Sequence, residues 1–289
     1  MLELASYYLQ KGAMLMKKWA IAAVVYLLVV IGSYAAYDSF FNKAVKHGED
    51  SSHETSGKVS GHDEVSDGNG HEGGDKKSGD VKADFVYNDG KITINLNDIN
   101  GKPVDELKVN HEKLLHLIVV NEHLDQYYHL HPVRVGAGKF EISHELKNGV
   151  YKAFIDIKPL KLNYEVKPLA FNVGGQQESH SNANLKADET FVKTIDGKTV
   201  EMDVSSFKAG ESITLNFKLD KTTLEPYLGA AGHVVILNEE ADQYLHVHPV
   251  NEEEPIFETK FDQAGKYKIW AEFKQNGKVR VFSYVIEVK

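Results

Sequence analysis

Short runs in which every second residue is apolar recur from about Ala83 to the end of the chain. Lys91-Ile-Thr-Ile-Asn-Leu and Ser212-Ile-Thr-Leu-Asn-Phe are two of them. That period turns one face of an extended segment to a core and the other to solvent, so the runs predict strands. Turn signals separate them, as at Asn100-Gly-Lys-Pro, Asn148-Gly and Gln275-Asn-Gly-Lys. No stretch in this part carries a convincing helical period. The order of runs also repeats. An alternating strand, a histidine-bearing hairpin, a short strand (Gly138-Lys-Phe-Glu-Ile or Ile256-Phe-Glu-Thr) and a long strand opening on Gly-x-Tyr occur at residues 83–173 and again at 186–289. Residues 174–185, beginning Gly-Gly-Gln-Gln, read as a flexible linker. In the long strands Tyr151, Ala153, Ile155 and Ile157 face one way, like Tyr267, Ile269, Ala271 and Phe273. Lys152, Phe154, Asp156 and Lys158 face the other, like Lys268, Trp270, Glu272 and Lys274.

The hairpins carry the candidate chemistry. Asn121-Glu-His-Leu-Asp-Gln-Tyr-Tyr-His-Leu-His-Pro-Val133 and Asn238-Glu-Glu-Ala-Asp-Gln-Tyr-Leu-His-Val-His-Pro-Val250 share Asn-Glu-x-x-Asp-Gln-Tyr-x-His-x-His-Pro-Val, and an apolar run opening on histidine precedes each. The chain thus holds one three-histidine pattern twice: His116, His129 and His131, then His233, His246 and His248. With Asn121 paired to Gln126, His116 lies opposite His131 and Ile118 opposite His129. A register slipped by two sets His116 opposite His129 instead. Either way the three share a face, at the open end of the hairpin, and directly opposed Cβ atoms are only ~4.5–5.5 Å apart. Three imidazoles so placed suit Cu²⁺ or Zn²⁺. The competing reading is a set of neutral core histidines, because His116 and His233 continue into the face that carries Ile118, Val120 and Tyr127 or Val235, Leu237 and Tyr244.

Upstream the pattern changes twice. Lys17-Lys18 is followed by an uncharged run from Trp19 to Tyr37, long enough to cross most of a ~30 Å hydrocarbon core. The lysines place the N-terminus inside and the remainder outside the cytoplasm. This predicts a single-pass signal-anchor in the cell membrane, with a cleavable signal peptide as the rival reading. Met16, close before the lysines, is read as the true start in place of Met1. Residues 43–82 are Gly, Ser, Lys, acids and His with little apolar content, a disordered tether in which His47, His53, His62 and His71 can hold metal weakly.

Composition narrows the chemistry. The absence of cysteine excludes disulfides, zinc fingers, iron–sulfur clusters and type 1 copper, and four methionines, of which only Met202 follows Met16, disfavour a Cu⁺ site. A net charge of −9 argues against a nucleic-acid partner.

Gly-x-Tyr opening a late strand, with Asp262-x-x-Gly265-x-Tyr267, resembles the tyrosine corner of immunoglobulin-like sandwiches, although the cysteine pair and its packing tryptophan are missing. The expected fold is all-β, two tandem immunoglobulin-like sandwiches behind a membrane anchor. Gly101-Lys-Pro-Val with His116-Leu-Ile-Val-Val and His129-Leu-His-Pro, and Leu224-Glu-Pro-Tyr with His246-Val-His-Pro, resemble bacterial exported β-sandwich modules near the YtkA-like group. The resemblance implies an extracytoplasmic, metal-handling protein and supplies no reaction. The expectation is therefore a non-enzymatic metal-binding or metal-delivery protein with one three-histidine site per module, holding Cu²⁺ or Zn²⁺ at pH 7.5 and losing it near pH 5. The alternative is a structural or partner-binding module that meets another cell-envelope protein. A zinc hydrolase ranks third, since Glu122 and Glu239 fall at the wrong end of the hairpin for a general base.

Overall fold

The computed structural model describes residues 79–175, 183–247, 249–251 and 253–289. The anchor, the tether up to residue 78 and His248 lie outside the described residues, and among those described no helix is long and apolar enough to cross a membrane. Strands account for nearly all the secondary structure, beside one 3-10 turn at Lys221–Thr223.

The first module contains β1 (Val81–Asn88), β2 (Lys91–Asp98), β3 (Leu107–Lys108), β4 (Leu115–Asn121), β5 (Tyr127–Leu130), β6 (Val133–Gly136), β7 (Lys139–Ser143), β8 (Gly149–Pro159) and β9 (Leu169–Val173). The second contains β10 (Val192–Ile195), β11 (Lys198–Val204), β12 (Ser212–Lys218), β13 (Leu224–Glu225), β14 (His233–Asn238), β15 (Tyr244–Val247), β16 (Ile256–Lys260), β17 (Gly265–Gln275) and β18 (Lys278–Val288). Each module is a sandwich of a four-stranded and a five-stranded antiparallel sheet. The four-stranded orders are β1-β2-β7-β6 and β10-β11-β12-β16; the five-stranded sheets run β3-β8-β4-β5 with β9 on β8, and β13-β17-β14-β15 with β18 on β17. β1 starts two residues before the boundary suggested by composition, because Val81 pairs with Asp98 and is buried.

The turns follow from their residues. Asp89-Gly90, Asp196-Gly197 and Asn276-Gly277 all have positive φ at both positions, the type I′ geometry that matches strand twist in a two-residue hairpin. The expected tyrosine corner is present in both modules. Tyr151 Oη donates to Lys147 O at 2.9 Å and Tyr267 Oη to Gln263 O at 2.9 Å, so each buried phenol ties its strand to the loop four residues back.

Three apolar clusters hold this unit together. Alternate residues of the paired sheets fill the core of each sandwich, among them Ile92, Leu117, Phe140 and Ile155 in the first and Leu215, Ile236, Phe257 and Phe282 in the second. The third cluster is the one the sequence reading did not foresee. Ile118, Val120, Leu124 and Phe154 of the first module pack on Val235, Leu237, Trp270 and Val285 of the second. The face of β8 and β17 opposite each module's own core is therefore buried as well, by the other module. Tyr127 stacks on Trp270 at 4.8 Å and Phe154 on Tyr244 at 5.2 Å, both at 14°. Because the repeat aligns Tyr127 with Tyr244 and Phe154 with Trp270, these are one contact made twice, about a pseudo-twofold axis. Lys152 Nζ reinforces it by donating to Glu240 O at 2.5 Å. The end of the segment read as a free linker joins in, since Leu185 is buried in this cluster and its N–H donates to Glu239 Oε1.

Trp270 should therefore behave as a core residue. Trp270→Ala is expected to cost about 3–5 kcal/mol in chemical denaturation and to enlarge the radius of gyration in small-angle scattering. A loss below about 0.5 kcal/mol, the size of an ordinary surface change, with unchanged scattering would mean that the modules are not locked through this face.

Candidate metal centre

The register of the hairpins is the first of the two considered from sequence. Ile118 pairs with His129 and Val235 with His246, and Asn121 N–H donates to Gln126 O. Asn side chains hold the loops: Asn121 Oδ1 accepts from the N–H groups of Asp125 and Gln126, as Asn238 Oδ1 does from Asp242 and Gln243. On the other edge of each apolar strand, His116 pairs with Asp156 on β8 and His233 with Glu272 on β17. The histidines thus lie on the face that meets the opposite module, and the two sets converge. Ring centroids are 5.1 Å apart for His116 and His246, 5.9 Å for His129 and His233, and 6.2 Å for His116 and His233. The His116, His129 and His131 rings of the first module therefore lie beside His233 and His246 of the second.

Partners fix which nitrogen of each ring carries a proton. His116 Nε2 lies 2.9 Å from Asn110 O and His233 Nε2 3.0 Å from Tyr227 O; a carbonyl only accepts, so each Nε2 donates and each Nδ1 is left as an acceptor. His129 Nδ1 lies 2.6 Å from Glu272 Oε2 and His246 Nδ1 2.8 Å from Asp156 Oδ2, which makes Nδ1 the donor and Nε2 the acceptor. Both carboxylates come from the opposite module. Four imidazoles are thereby anchored by one N–H on an outer oxygen. His129 Nε2 and His116 Nδ1 are 2.9 Å apart, and two lone pairs at that distance repel unless a proton or a cation stands between them. His131 Nε2 is buried without a hydrogen-bond partner. One nitrogen from each of His116, His129 and His131 lies within 4.8 Å of the others, so this triad can hold a metal ion.

Burial favours the neutral form of His116, His131, His233 and His246. It pulls the His116 imidazole down to about 4, against the opposing bond to Asn110 O, and pulls His131 down to about 3, with the neighbouring His129 and His116 adding to the effect. His246 and His233 are depressed further for the same reason. Tyr127 and Tyr244 flank the carboxylates. Burial and the charges of Glu272 and Asp156 respectively push both phenols well above their usual range.

The sequence reading missed Asp156 and Glu272, although it matched them by position. The signal was there: they face the first histidine of each triad in register and are the acidic pair common to both long strands. It also missed His111, whose ring lies 5.1 Å from His233. His111 and Glu112 have φ of 45° and 61°, in a tight turn closed by Asn110 and Lys113; Leu228 and Gly229 (51° and 73°) make the same turn between Tyr227 and Ala230. Two consecutive non-glycine residues in the left-handed region carry a backbone cost that the surroundings must sustain. The turn aims the Asn110 carbonyl at His116. Glu122 and Glu239 remain in the hairpin loops, where Glu122 N–H donates to Val150 O and Glu239 accepts from Leu185.

Among solved structures, the chain is similar to a segment of two fibronectin type III domains of chicken tenascin, at 8% identity and a TM-score of 0.24, over 73% of this chain and 99% of that one. It is similar to the FN1–FN3 domains of chicken CNTN1 (11%, TM-score 0.21, 72% of this chain and 66% of that) and to FdeC, an Escherichia coli adhesin (13%, TM-score 0.23, 74% and 65%). No curated protein sequence matches the chain. One family model matches twice, at residues 80–175 and 193–289, once per sandwich: the chain belongs to the family described as Domain of unknown function (DUF8832), of which it carries two copies.

Proposed function

We propose that this protein binds a divalent transition metal, Cu²⁺ or Zn²⁺, between its two sandwiches and serves in metal binding or delivery, not in catalysis. The observation that carries the reading is convergence: one nitrogen from each of His116, His129 and His131 lies within 4.8 Å of the others, and His131 Nε2 is buried without a hydrogen-bond partner, where buried polar atoms ordinarily have one. His116, His129 and His131 would be ligands, with His233 and His246 beside them; His248, the sixth histidine of the repeat, lies outside the described residues. Zinc or copper suits neutral imidazole, and a carboxylate behind a ligating ring is the usual outer support. The membrane anchor at residues 19–37 would hold this centre outside the cytoplasm and the acidic, histidine-bearing tether would present it to a metal source or to a second cell-envelope protein.

Residues 73–289, a compact unit without the tether histidines, should take up Cu²⁺ or Zn²⁺ at pH 7.5 in calorimetry and retain it through gel filtration for elemental analysis. His116→Gln with His129→Gln and His131→Gln should abolish retention. If the wild-type unit stays empty in micromolar copper and zinc, the metal reading fails and a partner-binding module takes its place.

The lowered imidazole values change the expected pH dependence. Free imidazoles near 6.5 would give up metal near pH 5, but with His116 at about 4 and His131 at about 3 the protons compete only at lower pH, so metal should still be held at pH 5. The metal-free protein follows the same shifts. Its unfolded chain takes up protons from pH 6.5 downward while the folded rings do not, so the stability present above 6.5 is progressively lost as pH falls toward 3–4. Each such histidine contributes at most about 1.4 kcal/mol per pH unit. Urea unfolding at pH 7.5, 5.5 and 4.5 should show the decline, and His131→Gln should flatten it. A level profile over that window would mean that the rings are not held neutral by burial.

A further inference from the structure

Glu272 and Asp156 are the most unusual residues of the interface. Glu272 is 3% exposed, and its partner His129 has a side chain 1% exposed. The His246 and Asp156 side chains are 3% and 13% exposed. A carboxylate is removed from water at a cost of several kcal/mol, and it is retained only when something specific holds it. Neither one serves its own module's histidines: Glu272 pairs in register with His233 but bonds His129, and Asp156 pairs with His116 but bonds His246.

That crossing has a chemical consequence. A neutral imidazole has two tautomers, and the carboxylate on Nδ1–H selects the one whose Nε2 is available as a ligand. It also fixes the plane of the ring. In each module, then, the ligand on the hairpin's outer strand is set by the other module. We propose that His116, His129 and His131 form with His233 and His246 a single metal centre spanning the module interface, in which Glu272 and Asp156 are positioning residues that each orient a ligand of the opposite module. The metal-binding unit is the docked pair, and closure of the interface and occupancy of the centre stabilise each other. This inference rests on the metal reading above, and the test is arranged to separate the two.

The full chain and its variants Glu272→Gln, Asp156→Asn and His116→Gln with His129→Gln are titrated with Zn²⁺ or Cu²⁺ alone at pH 7.5. The tether's weak binding is subtracted using a chain in which the histidines at 116, 129, 131, 233, 246 and 248 are all changed to Gln. Glu272→Gln and Asp156→Asn, each isosteric, should weaken binding by about 10–100-fold, the usual effect of an outer-shell carboxylate. The double histidine variant should lose all tight binding, although three candidate ligands in module 2 are untouched. Long-range proton–nitrogen spectra of the metal-free protein should show His129 protonated on Nδ1 in the wild type and on a mixture of nitrogens in Glu272→Gln, and the loss of metal affinity in the same variant then ties that tautomer to the centre. Should Glu272→Gln fail to fold, Asp156→Asn and His246 give the same readouts at the more exposed pair. If the wild type binds tightly but both carboxylate variants match it, or if the double variant keeps an ion at undiminished affinity, the shared centre is overturned while the metal reading stands. If the wild type binds neither ion, both fall.

Discussion

Everything distinctive about this molecule depends on burying imidazoles between two sheets that would otherwise be wet. A sandwich normally commits one face of each sheet to its own core and leaves the other to solvent. Here β4, β5 and β8 spend both faces, because Ile118, Val120 and Phe154 meet their counterparts from β14 and β17. The apolar contact brings the modules together, but it also takes His116, His233, Asp156 and Glu272 out of water. Each polar group in that position must find a partner or destabilise the fold. The partners found are a turn carbonyl for one histidine of each module and the other module's carboxylate for the next. The same constraint accounts for the strained turn at His111-Glu112, since its geometry supplies a carbonyl where His116 needs one.

The internal repeat makes this arrangement inexpensive to encode. Two copies related by a pseudo-twofold axis meet through identical patches, so each favourable contact occurs twice. The stacks of Tyr127 on Trp270 and Phe154 on Tyr244 are one such pair, and the two carboxylate–imidazole bonds are another. The repeat has nevertheless diverged at the axis: Asn110 and Tyr227 supply the same carbonyl from different side chains, and His111 stands where the second copy has Leu228.

Most of the local structure was legible from residue order. Alternation located the strands, Asn-Glu-x-x-Asp-Gln located the hairpin loops and left two registers of which the structure has the first, and Gly-x-Tyr located a tyrosine corner that forms as expected at Tyr151 and Tyr267. The candidate ligands were legible too, because two copies of His-x-His with a third histidine at fixed spacing are improbable without a reason. What local pattern could not reveal was the direction in which the shared face looks. A strand with apolar residues on both sides, as β8 has in Ala153, Phe154 and Ile155, signals burial on both faces but not by what. In this chain the second cover is the other module, so the linker end at Leu185 packs down and the carboxylates matched by position bond histidines of the opposite module.

A centre shared between the modules would be a different kind of metal site. A tripod at the mouth of one sandwich would be open, easily loaded and easily emptied, with pH governed by ordinary imidazoles near 6.5. Between the sheets, His116 and His129 are each held by an oxygen acceptor and burial lowers the proton affinity of His116 and His131, so protons compete poorly. A site of that kind exchanges its ion only when something opens it. The element that would have to move is the module interface itself, whose apolar contacts surround the histidines on β4 and β14. Storage and release would then be governed by the docking of two rigid sandwiches, with the stacked aromatics as the clasp. A partner that competes for the Tyr127–Trp270 face would thereby gain access to the metal.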